Sequence, residues 1–230
     1  EDFLGGIVHE SLEWLYLEIS KGVKIGLDDL IRFFAELWKN DFESEIKLNG
    51  GSEHYYFNKG IKFLIDYYKK HEPFDDNTIE IEKRILFPLD GKGEYNIQGY
   101  VDRIVRVNDK EYEIHDYKTN DSMKSQKQVD SDRQLAFYNL GLQEMFGKQI
   151  KVRLVWHFLA HNKSIFSFRE NDELEKLKAN TLELIKSIED NKEWFACGRH
   201  WCDWCSYKKE KGIEYDKVWK LNNYKLNKYL

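Results

Sequence analysis

Two prolines, Pro73 and Pro88, are all that the 230 residues contain, which excludes a proline-rich stalk or linker. No apolar run approaches the ~18–20 residues that a membrane span requires, so a soluble protein is expected. No basic-then-apolar stretch opens the chain, and no signal segment is visible. The first residue is Glu1 rather than Met, which leaves room for an upstream segment. Cysteine is scarce: three residues, at 197, 202 and 205. An odd, clustered set without an export signal argues against a disulfide scaffold and for a reducing compartment, so a cytoplasmic location is expected. An excess of positive charge is also missing. Lys and Arg number 36 against 41 Asp and Glu, a net charge of −5, so nucleic acid is not attracted globally and any binding needs a local basic groove. Repeats, low-complexity tracts and clear linkers are absent.

What is present suits a folded domain. Hydrophobic residues make up 41% and charged residues 33%, enough for a buried core and too apolar for disorder. The first ~70 residues read as helical. Leu4, Val8, Leu12 and Leu15 share one face, with Asp2 as a cap. Leu30, Phe33, Phe34 and Leu37 repeat the pattern, with Asp28 or Asp29 near the start. After a break at Asn49–Ser52, Phe57, Ile61, Phe63, Leu64 and Tyr67 form a third helix. The character changes at Pro73. Ile79, Ile81, Ile85 and Phe87 read as a strand, Asp90–Gly93 as a turn, Tyr95–Val107 as a second strand, Asn108–Lys110 as a hairpin loop and Glu111–Tyr117 as a third strand. Residues 120–130 read as a polar loop, Gln134–Phe146 as a helix stopped by Gly147, Val152–Ala160 and Ile165–Phe168 as strands, and 171–190 as a charged amphipathic helix. The expectation is one domain over 1–230: a helical part (1–75), a sheet core (76–170), and a C-terminal helix with a Cys-containing tail (171–230). The class is α/β (α+β), a mixed central sheet flanked by helices.

Two segments carry chemistry: Gly99, Asp102, Arg103 and Ile104 on one strand, and Glu113, Asp116, Tyr117, Lys118 and Thr119 on the next. Positions two apart on a strand share a face, so Asp116 and Lys118 project together and Asp102 can join them from the neighbouring strand. Two carboxylates beside a lysine suit Mg²⁺ or Mn²⁺, which take oxygen ligands, lower the pKa of a bound water and offset phosphodiester charge. The lysine can orient that water or stabilise the transition state. An Asp–Lys ion pair on a solvated hairpin is the alternative reading of the same residues. Two further features give it company. His9 follows Gly5 at four residues on the first helix, and Gln134 and Tyr138 lie one turn apart on another. Glu10 and Glu82 are within reach of such a metal but read as solvated charges. His115 is expected on the opposite sheet face from Asp116.

The ordered set G-x-x-x-H-E, G-x-x-D-R-I, E-I-x-D-Y-K-T and Q-L-x-x-Y resembles the RecB-type branch of the PD-(D/E)XK nuclease superfamily, which includes RecB and AddB nuclease domains, CRISPR-associated RecB-type exonucleases and phage exonucleases. The resemblance runs from about Gly5 to Tyr138, and more weakly to the cysteines. It implies a restriction-endonuclease-like core and a metal-dependent deoxyribonuclease, in the first place an exonuclease acting in recombination, repair, phage or CRISPR-related DNA processing. It implies His9, Asp102 and Asp116 as metal ligands, with the backbone carbonyl of Tyr117. It makes Lys118 the catalytic lysine and places Gln134 and Tyr138 against the phosphate backbone or that lysine. DNA, as single strands or duplex ends, is the implied partner, with a helicase or other recombination or CRISPR proteins beside it. A nuclease fold serving as a non-catalytic scaffold module is the competing class, and a zinc-stabilised interaction domain a third.

Cys197, Cys202 and Cys205 have metal-like spacing. Some relatives hold a [4Fe–4S] cluster on four cysteines, one upstream and three near the C-terminus. Here the place of the last of these holds Lys211. Three readings are open: a degenerate site packed as small apolar residues, a zinc site of the three cysteines with His200, and an iron–sulfur cluster completed from outside the sequence. From Ser206 to Leu230, seven lysines face three acidic residues, interleaved with Tyr207, Tyr215, Trp219, Tyr224 and Tyr229. Such a tail either holds a single strand or packs its aromatics on the domain. Lys124 and Lys127 are a second candidate for phosphate contact.

Overall fold

The computed structural model describes residues 2–42 and 51–192. The cysteines, His200 and the lysine-aromatic tail lie outside the described residues. The chain divides into two compact units, 1–176 and 177–230, and the boundary falls inside the last described helix.

Three helices come first. Helix α1 (Asp2–Ser20) buries Leu4, Val8, Leu12 and Leu15, as their spacing dictates. Helix α2 (Leu27–Asp41) carries Asp28 and Asp29 in its first turn, where the helix dipole favours negative charge, and buries Leu30, Phe34 and Trp38. Phe33, expected in that core, instead stacks on Trp14 at 4.3 Å. Helix α3 (Glu53–His71) starts at Ser52, whose hydroxyl accepts the Tyr55 amide at 3.2 Å. A Cβ at Gly60 would lie 2.4 Å from the Phe34 ring, so glycine is what lets α2 and α3 pack this closely.

The sheet has five strands in the order β1 (Thr78–Pro88), β2 (Asn96–Asn108), β3 (Glu111–Lys118), β4 (Lys151–Phe158) and β5 (Lys163–Ser167). All neighbours are antiparallel except β3 and β4, which are parallel. A parallel pair needs a crossover. It consists of α4 (Gln126–Asp130) and α5 (Gln134–Phe146). The α4 segment corrects the expectation of a loop over 120–130. Ser125 and Gln128 form a capping box there, a signal that was readable in the sequence. The 90–93 turn forms as expected, with the Asp90 carboxylate accepting the amides of Lys92, Gly93 and Glu94. The last described helix is α6 (Asn171–Glu189). The fold is thus α+β, a mixed sheet between helices, as a restriction-endonuclease-like core requires. Among the described residues no helix is long and apolar enough to cross a membrane.

Strand β3 is covered on both faces, the usual condition of a strand in a parallel pair. On one side α5 packs: Phe146 stacks on Tyr112 at 4.6 Å, and Ile85 of β1 fills the space beside Gly141. On the other side Tyr117 joins the core of α1, α2 and α3.

That second face also holds a buried polar layer. Arg103, 1% exposed, donates from Nε to the Tyr117 hydroxyl at 3.1 Å, from Nη1 to Asp76 and Thr78, and from Nη2 to His115 Nδ1 at 3.0 Å. His115 Nε2 lies 2.9 Å from the Glu113 carboxylate, so that nitrogen carries the proton and Nδ1 accepts. His157 Nε2 then donates to the same Nδ1 at 2.8 Å, while its own Nδ1 accepts from Ser164. Burial first, and the Arg103 charge second, hold His115 well below the ordinary imidazole value. Burial and the same charge bring His71 down to about 4, and burial followed by His115 lowers His157. Above the unfolded value near 6.5 the layer contributes its full stability. As pH falls toward 4 the unfolded chain takes up protons that the native state refuses, and that contribution is lost. The native imidazole NMR signals of His71, His115 and His157 are therefore expected to stay flat from pH 8 to about 5. An inflection near 6.5 in any of them contradicts the assignment.

Candidate active site

The site forms where β2 leaves β3. The β2–β3 ladder ends at Arg103 opposite His115, and Asp102 and Asp116 are the next residues on the two strands. There the Asp102 carboxylate, not a backbone carbonyl, accepts the Tyr117 amide at 2.8 Å. The Tyr117 carbonyl meets His9 Nε2 at 2.8 Å. A carbonyl only accepts, so Nε2 donates that bond, and Nδ1 faces Asp102 Oδ2 at 3.5 Å. The two peptide groups flanking the Tyr117 Cα thereby fix both side chains. On β3, Lys118 Nζ sits 3.0 and 2.8 Å from the two oxygens of Asp116, and 3.2 Å from the Gln134 carbonyl oxygen on α5. The Gln134 amide in turn donates to the Tyr138 hydroxyl at 3.3 Å. A Cβ at position 99 would lie 2.6 Å from the Tyr138 ring, which explains the glycine three residues before Asp102.

Glu82, on β1, completes the group. Ligand atoms of His9, Glu82 and Asp102 lie within 4.8 Å of one another, and the three could hold a metal ion. Glu82 stands opposite Asp102 with φ at +47°, a backbone region that costs a non-glycine residue energy and that gathers at functional sites. The β1–β2 ribbon coils sharply here. Ile81 packs on the α1–α3 core and Arg103 lies over the Tyr16 ring of α1, yet Ile85 and Gly99, of the same parity, pack on α5. The expectation of a solvated Glu82 is thereby corrected: it is half-buried beside two other ligating groups. Simple alternation along β1 could not have found it. Glu10 and Glu13 line the same cleft, of about 640 Å³, with Gly5, Gly6, Thr119 and Asn120.

The electrostatics are those of crowded carboxylates. Burial and the Asp116 charge push Asp102 up to about 7. Asp116, 3% exposed, is raised by burial, which outweighs the attraction of Lys118. Burial and Asp102 raise Glu82, and burial and Glu10 raise Glu13. Burial works against the Lys118 ammonium, but the Asp116 carboxylate outweighs it and holds the group above the ordinary lysine value. Asp116 Oδ2, though within ion-pair distance of Lys118, receives no aligned hydrogen bond. Several carboxylates held above their ordinary range, an imidazole nitrogen turned toward one of them and an orphaned buried oxygen fit a hard divalent cation.

A family model described as the PD-(D/E)XK nuclease superfamily matches residues 1–209. The chain belongs to that superfamily. No curated protein matches the sequence. A solved structure described as "Crystal structure of SSO0001" is similar at 18% identity and a TM-score of 0.29, over 93% of this chain and 96% of that one. A superfamily member is expected to join two acidic groups and a lysine around a phosphodiester, and the chain brings Asp102, Asp116 and Lys118 to one place, with His9, Gln134 and Tyr138 beside them. Of the two lysines considered for phosphate contact, Lys124 is engaged by Asp132, while Lys127 is exposed on α4. The Cys197, Cys202, Cys205 and His200 assignment falls outside the described residues.

Proposed function

We propose that the protein is a RecB-type deoxyribonuclease that uses Mg²⁺ or Mn²⁺ to hydrolyse phosphodiester bonds at DNA ends, as an exonuclease in recombination, repair, phage or CRISPR-related processing. His9 Nδ1, Asp102, Asp116 and Glu82 would hold the ion; the Tyr117 carbonyl, a further ligand that the resemblance implies, here accepts from His9 Nε2 and fixes that ring. A bound divalent cation would lower the pKa of a water and neutralise charge on the scissile phosphate. The chain's own groups supply the rest. Lys118 stays protonated at neutral pH beside Asp116, so it acts as a positive charge and proton donor on the phosphate, not as a base. Gln134 and Tyr138 hold the ammonium in place from α5. The observation that carries the reading is the meeting of His9, Glu82 and Asp102 within 4.8 Å of one another, with the Asp116–Lys118 pair on the adjacent strand.

The test is incubation of the full chain with linear single-stranded and duplex DNA in Mn²⁺ or Mg²⁺, with an EDTA control. Chelator-sensitive release of nucleotides from ends is expected. Intact DNA at high enzyme would instead favour a non-catalytic module in a DNA-processing complex.

A second expectation concerns stability. The Asp102 value in the folded state lies above its unfolded one, so the stability it lends below about pH 4 is lost as pH rises through about 7. At pH 7.5 without metal, Asp102→Asn keeps the acceptor for the Tyr117 amide and removes the penalty. It is expected to gain about 1–3 kcal/mol in urea unfolding while losing cleavage. A loss of stability would contradict the repulsion argument.

A further inference from the structure

The residues gathered around Asp102 do not account for a lysine on α3. The Lys59 side chain is 12% exposed, and its ammonium lies 5.9 to 6.0 Å from the ring centres of Tyr55, Tyr56 and Phe63. Lysine is seldom withdrawn this far from water unless its charge is paired. The two oxygens of Asp121 stand 2.7 and 2.9 Å from Nζ, yet Asp121 itself is 65% exposed. An ion pair with one partner in solvent adds little to global stability. What it does is tie the exposed partner's segment to a helix. That segment follows the candidate active site directly. Strands β3 and β4 run parallel and end in step, at Lys118 opposite Phe158. Asp121 lies three residues past the first end and His161 three past the second, and His161 Nε2 donates to the Asp121 carbonyl at 2.7 Å. Residues 119–125 form neither helix nor strand, so these side-chain bonds hold what no ladder does. Thr119 and Asn120, between Lys118 and this anchor, line the cleft with Gly5, Gly6 and His9 of α1. Thr119 comes so close that a Cβ on Gly5 would lie 3.1 Å from its hydroxyl.

We infer that Lys59 is a positioning residue for this site: through Asp121 it holds Thr119–Asp121 as a wall of the cleft that is in place before DNA arrives. The inference rests on the nuclease reading and adds to it a residue outside the motifs. Two bonds from different directions, one to the carboxylate and one to the carbonyl, fix Asp121 where either alone would leave a hinge. Without Lys59 the wall is in place for only part of the time, and the apparent affinity for DNA falls by that fraction. Once DNA is bound the wall is ordered again, so the chemical step keeps its rate. The cost therefore falls on binding, because the substrate must now order what the ion pair had ordered beforehand. The groups proposed to hold the metal lie on α1, β1, β2 and β3, outside the segment, and their affinity for the ion is expected to stay as it is.

The experiment uses the full chain in Mg²⁺. Anisotropy of a fluorescein-labelled phosphorothioate DNA, which resists cleavage, isolates binding, and ordinary DNA gives KM and kcat. Lys59→Met and Asp121→Ala are each expected to weaken binding and raise KM about fivefold while kcat stays within about twofold. The two variants change the charge in opposite senses, so simple attraction of DNA predicts opposite shifts and a held wall predicts the same one. The double variant should be no weaker than the weaker single one, since both break one contact. Lys59→Arg should restore affinity to within about twofold. NMR order parameters at Thr119–Asp121 should fall in both single variants. Opposite shifts in the two variants, a loss of kcat at constant KM, lower order parameters with wild-type affinity, or a wild type that binds no DNA would overturn the inference. Chelator-sensitive cleavage by the wild type, alongside variants that bind normally, removes the role of Lys59 and leaves the nuclease reading. Binding that depends on Lys59 and Asp121 without any cleavage removes the nuclease reading and leaves the held wall.

Discussion

Asp116→Asn and Lys118→Ala are expected to lower DNA cleavage by about a thousandfold or more while leaving the far-UV circular dichroism unchanged. The two losses have different causes. Asp116→Asn removes a proposed ligand and also the charge that holds the Lys118 ammonium, so metal affinity and transition-state stabilisation are expected to fall together. Lys118→Ala leaves the metal donors in place, so calorimetry should still register Mn²⁺ uptake although cleavage is gone. The Lys118 variant has a structural cost too. Asp116 is 3% exposed and loses the Lys118 ammonium at 2.8 Å, and unpairing a buried charge destabilises. Because burial already raises Asp116, it can take up a proton instead, which limits the cost to about 1–2 kcal/mol and makes it smaller at lower pH. Wild-type cleavage in either variant removes the active-site assignment. Lost Mn²⁺ uptake in the lysine variant would show that the ammonium organises the donors rather than acting on the phosphate.

The parts of the site that could be read in the sequence are those set by short-range geometry. Asp116 and Lys118 lie two apart on one strand, and period two alone places them together. His115 falls on the other face by the same rule, and it does lie in the buried layer with Arg103. Gln134 and Tyr138 share a helical face and do meet Lys118 as a chain of hydrogen bonds. Other parts depend on contacts between distant segments. Glu82 joins His9 and Asp102 because the β1–β2 ribbon coils and Glu82 adopts a left-handed conformation, neither of which a hydrophobic pattern encodes. Arg103 follows Asp102 directly and looks like a solvent-facing partner of the acidic motif. Its neighbours come from α1, β3 and the segment before β1, so only the tertiary structure shows that it is interior.

Arg103→Met is expected to destabilise the protein by about 3–5 kcal/mol, a fall of about 10 °C in Tm. The guanidinium is 1% exposed and satisfies Tyr117, Asp76, Thr78 and His115 at once, over the ring of Tyr16 at 4.1 Å. Methionine fills much of the volume and none of those acceptors. Arg103→Lys is not expected to rescue, because one ammonium cannot reproduce the planar fork that reaches several partners. Tyr117→Phe alone should cost about 1 kcal/mol, and the double variant less than the sum, since both act on one hydrogen bond. The same layer bears on chemistry through a single residue. Tyr117 offers its hydroxyl to Arg103, its amide to Asp102 and its carbonyl to His9. Loosening the ring frees the backbone that aligns two side chains proposed to hold the metal, so Arg103→Met, measured well below its lowered Tm, should also show weaker Mn²⁺ uptake than wild type. Stability within 2 °C of wild type would mean the layer is solvated and carries no such load. Lost stability with unchanged Mn²⁺ affinity would confine Arg103 to the core.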